Sequence, residues 1–180
     1  MRHAAWRRCG HLSLAILAVL TNFPASVEAA TPEAEVKAAY LYKLASFVRW
    51  PGDPGGGTFK FCVVGRDDVA GVLQQLVRGQ QVDGHPLAVE HVTAGQADQA
   101  KSCQVLFLGR GPDTAHVLLQ ATRGLPVLTV GDRNGGTRGG VIDFLMRDGH
   151  VRLAVDRANA DARHLQLSSK LLNVAVTVDE

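Results

Sequence analysis

The sequence predicts a three-layer α/β domain: one mostly parallel sheet, helices on both faces, and an antiparallel hairpin at one edge. Three observations predict it. Short runs rich in β-branched and aromatic residues, Phe59 to Val64, Val105 to Leu108 and Val127 to Val130, alternate with segments that carry helical spacing or helix-start signals. Asp148-Gly149 separates two further apolar runs, Val141 to Met146 and His150 to Val155, which is the mark of a tight hairpin. From Thr31 onward the chain has about 150 residues, room for one core and short of two.

The segment ahead of that domain reads as an address. Arg2, Arg7 and Arg8 form a basic start, Leu12 to Leu20 is apolar or small throughout, and Val27-Glu28-Ala29 places small residues at a cleavage site. Residues 1–30 are therefore expected to be a signal peptide, cleaved on export. The apolar run of about nine residues is far short of the roughly twenty that cross a bilayer as a helix. Cys9 precedes that run, so a lipid anchor is not expected. The whole chain has 19 Lys and Arg against 17 Asp and Glu. The leader holds three arginines and one glutamate, which leaves sixteen of each sign in the mature domain. A nucleic-acid surface needs an excess of cations to displace counterions from phosphate, so nucleic acid is not an expected partner.

Thr31-Pro32-Glu33 starts the first helix, with a hydroxyl cap, a proline where its missing N–H is harmless, and acid in the first turn. Val36, Tyr40, Leu44, Phe47 and Val48 recur at three- and four-residue steps and predict its inward face, and Pro51 ends it. The glycine-rich stretch from Gly52 to Gly57 leads to the first strand, Phe59 to Val64. A helix follows from about Val69 to Val77, capped by Asp67 and Asp68, then a strand pair around Val82 and Leu87 to Val92 turned by Asp83-Gly84, then a polar segment to Ser102. Pro112 to Ala121 predicts a helix and Gly131 to Gly140 a mobile loop. Ser168 offers a cap to a last helix with Leu171, Leu172 and Ala175 facing inward.

Cys62 and Cys103 are the thiols left after cleavage, and an even count in an oxidising compartment favours a disulfide. If their two strands are parallel neighbours, the backbones lie about 4.8 Å apart, within the reach of a disulfide. The alternative is a pair of buried free thiols, which intact mass with and without reductant distinguishes. Two isolated cysteines do not make a tetrahedral zinc shell, and His85, His91, His116 and His150 show no metal-ligand spacing, so no metal is expected.

Nucleotide and hydrolase chemistry find little footing. Gly65-Arg66-Asp67-Asp68 lacks the spaced glycines of a dinucleotide fold, and two aspartates repel a pyrophosphate. The segment from Gly131 to Gly140 lacks the lysine of a phosphate loop and the hydroxyl that directly follows it. Ser168 and Ser169 with His164 nearby have no Gly-x-Ser-x-Gly elbow. No cofactor and no catalytic residue are expected. One constellation stands out: Val64-Gly65-Arg66, Leu108-Gly109-Arg110 and Val130-Gly131-Asp132-Arg133 end three strands alike. Ligands of open α/β sheets bind beyond the carboxyl ends of strands, so Arg66, Arg110 and Arg133 are a candidate rim for a small anionic ligand or an acidic patch on a partner. The opposing reading is a turn glycine followed by a solvated arginine.

Together these residues carry a family likeness. Glu35 to Leu44 with Phe47-Val48-Arg49-Trp50-Pro51, Phe61 to Gly65, Cys103 to Phe107, Val127 to Asp132, Gly140 to Phe144 and Leu167 to Leu172 resemble, in order and spacing, the YfiR-like periplasmic regulators. The resemblance covers nearly the whole mature chain. It implies a non-catalytic periplasmic protein, dimeric, that binds the periplasmic part of an inner-membrane diguanylate cyclase, YfiN in the best-known case, or another membrane sensor. The cyclase is thereby held inactive, which lowers cyclic-di-GMP and restrains biofilm. Cys62 and Cys103 match the family's structural cysteine pair, whereas a second pair expected near the hairpin is absent, with Met146 and Arg152 in that region. An inhibitor of this kind must bind the inactive form more tightly than the active one. Trp50 is a candidate partner anchor or, equally, a core residue. The rival readings are a secreted hydrolase, which needs convergent nucleophile, base and oxyanion donors, a periplasmic small-anion sensor, and a transporter's solute-binding component, for which one domain is short.

Overall fold

The computed structural model describes residues 31–52 and 57–179. The expected signal peptide and most of the glycine-rich stretch lie outside those residues. Five strands form the parallel body of the sheet: β2 (Phe59–Val64), β4 (His85–His91), β5 (Val105–Leu108), β6 (Leu128–Asp132) and β7 (Ile142–Arg147). Their order is β4-β2-β5-β6-β7. At one side β3 (Gln81–Val82) folds back on β4 through Asp83-Gly84, and at the other β8 (His150–Asp156) runs antiparallel to β7. Asp83 and Asp148 both take positive φ, +50° and +52°, with glycine following, as two-residue hairpin turns require.

Helices cover both faces, as expected. On one face α1 (Pro32–Phe47), α2 (Asp67–Val77) and α6 (Ser169–Val174) pack over Phe61, Phe107, Val130 and Phe144. On the other α3 (Ala97–Lys101) and α4 (Pro112–Ala121) cover Cys62, Leu106 and Leu108. Every residue of β5 and β6 is buried, which is why those runs carry no polar alternation.

The structure corrects several expectations. The inward face of α1 is Ala34, Lys37, Ala38, Leu41, Leu44 and Ala45, while Val36 is 43 % exposed and Tyr40 and Phe47 are half-buried. Alanines let the helix lie close to α2 and the sheet, and a helix apolar on most sides gives periodicity no unique answer. Helix α2 starts at Asp67, and no side chain caps it, because the fork of Arg66 takes up the Asp68 carboxylate with two bonds of 2.8 Å. The polar segment before Ser102 contains α3. The stretch expected as a mobile loop is anchored: Gly131 and Asp132 end β6, Arg133–Gly135 form a 3-10 turn, and Thr137 is buried with its Oγ1 accepting from Asp132 N at 2.7 Å. The hairpin is not the outermost element, since β10 (Thr177–Asp179) pairs in parallel with β8. Separately from the main sheet, β1 (Val48–Arg49) pairs with β9 (Gln166–Leu167). Two- and three-residue strands are too short to show a period.

Candidate functional site

The chain leaves β2 toward β4 on one side and returns to β5 on the other, so the strand order reverses between β2 and β5. In open α/β sheets the crevice beyond the carboxyl ends at such a reversal is where ligands sit. Here Gly65-Arg66 and Gly109-Arg110 end those strands. Gly65, Arg66 and Arg110 border an open cleft of about 670 Å³ that Thr31, Glu33, Asp67 and Asp68 also line.

Its floor is an ion network that sequence reasoning missed. Lys37, 1 % exposed, reaches from α1 to the fully buried Asp132, with Nζ 2.6 Å from Oδ2, and also bonds the Glu33 carboxylate one turn earlier. Arg66 Nη1 donates to the same Asp132 oxygen at 3.2 Å and stands 3.7 Å from Glu33. The other Asp132 oxygen accepts the Asn134 N–H and caps the 3-10 turn. A buried charge is tolerated only when paired and hydrogen-bonded, and this one is. The Lys37 hydrogen bond, aided by its charge and that of Arg66, holds the Glu33 carboxyl below the usual range. The Arg66 fork does the same for Asp68, and the Asp68 hydrogen bond in turn raises Arg66.

Backbone packing fills the rest of the crevice. A Cβ on Gly109 would meet the Arg66 side chain, and one on Gly135 would meet the Gly109 carbonyl, so both positions need glycine for close approach. The space in which a doubly wound sheet usually holds a ligand is thus occupied by the chain's own guanidinium and 3-10 turn. The open part above it presents more carboxylates than guanidiniums.

The three rim arginines part company. Arg66 and Arg110 line the cleft, Arg66 committed to Asp68 and Asp132 and Arg110 exposed. Arg133 does not line it, and its Nε bonds the largely buried Asp143 at 3.2 Å. Trp50 is half-buried, stands edge-on to Phe59 at 5.0 Å, and donates Nε1–H to the Gln104 carbonyl at 3.2 Å, which ties the end of α1 to β2 and β5. Cys62 and Cys103 are disulfide-bonded, their Cα atoms 6.0 Å apart. Ser168 Oγ accepts from Leu171 N and caps α6, as expected. Among the described residues no group of His, Cys, Asp or Glu is placed to hold a metal ion, and no helix is long and apolar enough to cross a membrane.

Compared with known protein families, residues 34–176 match the YfiR/HmsC-like family. The chain belongs to that family. YfiR/HmsC-like proteins are regulatory rather than catalytic and are known as periplasmic regulators of diguanylate cyclases. The blocks that carried the sequence resemblance to YfiR-like proteins hold Lys37 and Asp132, the buried pair of the ion network, while Glu33, Arg66 and Asp68 lie just outside them. Among solved structures the chain is similar to a conserved domain protein from Vibrio cholerae O1 biovar El Tor str. N16961, with TM-score 0.52 and 10 % identity. That likeness covers 81 % of this chain and 60 % of the Vibrio chain, and concerns the fold alone. No curated protein matches.

The signal for the network was faint but present. Lys37 falls among the alanines and large apolar residues on the inward side of α1, and Asp132 ends a run of buried residues, Val127 to Gly131. Each alone reads as an ordinary charge. Only the tertiary pairing of α1 with β6 shows that both are inside.

Proposed function

We propose that this protein is a periplasmic regulator that works by binding. It would contact the periplasmic part of an inner-membrane diguanylate cyclase, acting as a dimer, and hold that enzyme inactive so that cyclic-di-GMP falls. The observation that carries the reading is membership of the YfiR/HmsC-like family across residues 34–176, nearly all of the described fold. The switch-point crevice agrees with it: Lys37, Arg66, Glu33, Asp68 and Asp132 are taken up by one another, so the crevice serves to lock α1 onto the sheet. Such a repressor needs a rigid surface with greater affinity for the inactive partner, and a disulfide-closed domain built on one continuous sheet is suited to that.

The test is capture from detergent-solubilised membranes with the tagged, exported protein as bait, followed by cyclic-di-GMP measurement in cells lacking the gene. A diguanylate cyclase recovered with the bait and a raised nucleotide level in the deletion strain are expected. A cyclase-free eluate together with unchanged cyclic-di-GMP would overturn the proposal.

A further inference from the structure

The β7–β8 hairpin extends beyond the strands that flank it. β6 follows β7 only as far as Phe144, and β10 follows β8 only from Ala154. The last rungs, Leu145 with Arg152, Met146 with Val151 and Arg147 with His150, pair only with each other among the described strands. Val176 N donates to the Leu153 carbonyl. By strand alternation Val151 turns its N–H and C=O to the same side, where no described strand meets them.

Alternation also separates two faces. Met146 and Val151 turn to the core, continuing Phe144 and Leu153. On the opposite face lie Leu145, half-buried, and Arg147, His150 and Arg152, all exposed. Neither Arg147 nor Arg152 holds an ion pair among the described residues. Asp148 at the turn is the one carboxylate of the tip, from Leu145 to Arg152. An open strand edge is a template for another chain, and lysine is its usual guard. Here the charges are arginines, whose planar forks take carboxylates in pairs, set beside an apolar side chain.

We infer that this hairpin arm docks an acidic, extended segment of a partner protein. The segment adds to the open edge of β8 and sets its carboxylates against Arg147 and Arg152, a β-addition in which main-chain bonds supply affinity and side chains supply choice. The inference rests on the reading of the chain as a protein-binding regulator and names the surface it would use.

Fluorescence anisotropy with a labelled decapeptide of alternating Glu and Thr tests it. The controls are the Lys-Thr counterpart and a Glu-Thr peptide with alternate amides N-methylated. Binding of the acidic peptide is expected, weakened about tenfold or more by Arg147→Glu/Arg152→Glu and by N-methylation, with far-UV circular dichroism and melting of the variant unchanged. Equal binding of the Lys-Thr or N-methylated peptide overturns it, as does retention by phosphatidylglycerol vesicles in place of the peptide. If the wild-type protein captures its membrane partner and the double variant captures it equally, this surface is wrong while the proposed function stands. If acidic peptide binds but no cyclase is captured, the proposed function fails instead.

Discussion

Lys37 shows how much one buried charge organises. Its ammonium, itself buried, joins two carboxylates, the partly exposed Glu33 in its own helix and the buried Asp132 at the end of β6. Lys37→Met keeps the stem and removes the charge, leaving Asp132 with Arg66 as its remaining cation. Breaking a buried pair on one side costs about 3–5 kcal/mol, so urea unfolding of the variant is expected to fall by that order. The same change has a pH signature. Glu33 is held below its ordinary value of 4.5 chiefly by the Lys37 hydrogen bond, so its contribution is complete above that pH and is lost as pH falls through the lowered value. Lys37→Met is therefore expected to flatten the acid limb of thermal stability below pH 4.5, a modest effect because Glu33 is 35 % exposed. A variant as stable as wild type, with an unchanged acid limb, would show that the network does not hold α1. Sequence made Arg66 visible through its place after Val64-Gly65 and hid its purpose, because the partners Asp68 and Asp132 are 2 and 66 positions away.

At the scale of elements, legibility followed burial and length. The predominantly apolar strands β2 and β5 and the proline-started helices α1 and α4 declare themselves through composition and caps. Both hairpins were visible in an Asp-Gly dipeptide. The rotation of α1 was not, since Ala34, Ala38 and Ala45 carry the contact and a period built on large residues overlooks them. The disulfide joins β2 to the turn that precedes β5, closing a 41-residue separation that includes α2, the β3–β4 hairpin and α3. Its main effect is on the unfolded chain, whose freedom that loop restricts. Replacing both cysteines by alanine is expected to lower stability by about 4 kcal/mol in the chain-entropy model. The urea midpoint of oxidised wild type against the double variant measures it. Reductant is expected to move the wild type and leave the variant unmoved, and a variant as stable as the oxidised protein would count against the constraint.

Over the whole molecule, the sheet runs unbroken from β10 to β3, and both helical layers rest on it. β2 and β5 send side chains into the cores on both faces and cannot leave without exposing them, so the described residues are expected to unfold as one cooperative unit. Trp50 is a convenient witness. The chain has two tryptophans, and the other, Trp6, lies in the expected leader. Trp50 joins the end of α1 to Phe59 of β2 and to the Gln104 carbonyl ahead of β5. Its fluorescence in the mature protein thus reports on the junction of helix and sheet, while far-UV circular dichroism reports on every element. In urea the two transitions are expected to share one midpoint and one slope, with the slope in the range of about 1–3 kcal/mol/M usual for small domains. Loss of Trp50 fluorescence well before the circular dichroism would mean that α1 and the β1–β9 pair detach from a sheet that remains folded. A surface for partner binding would then have to be argued on that residual sheet, where the β7–β8 arm stands apart from Trp50, and not on the assembled protein.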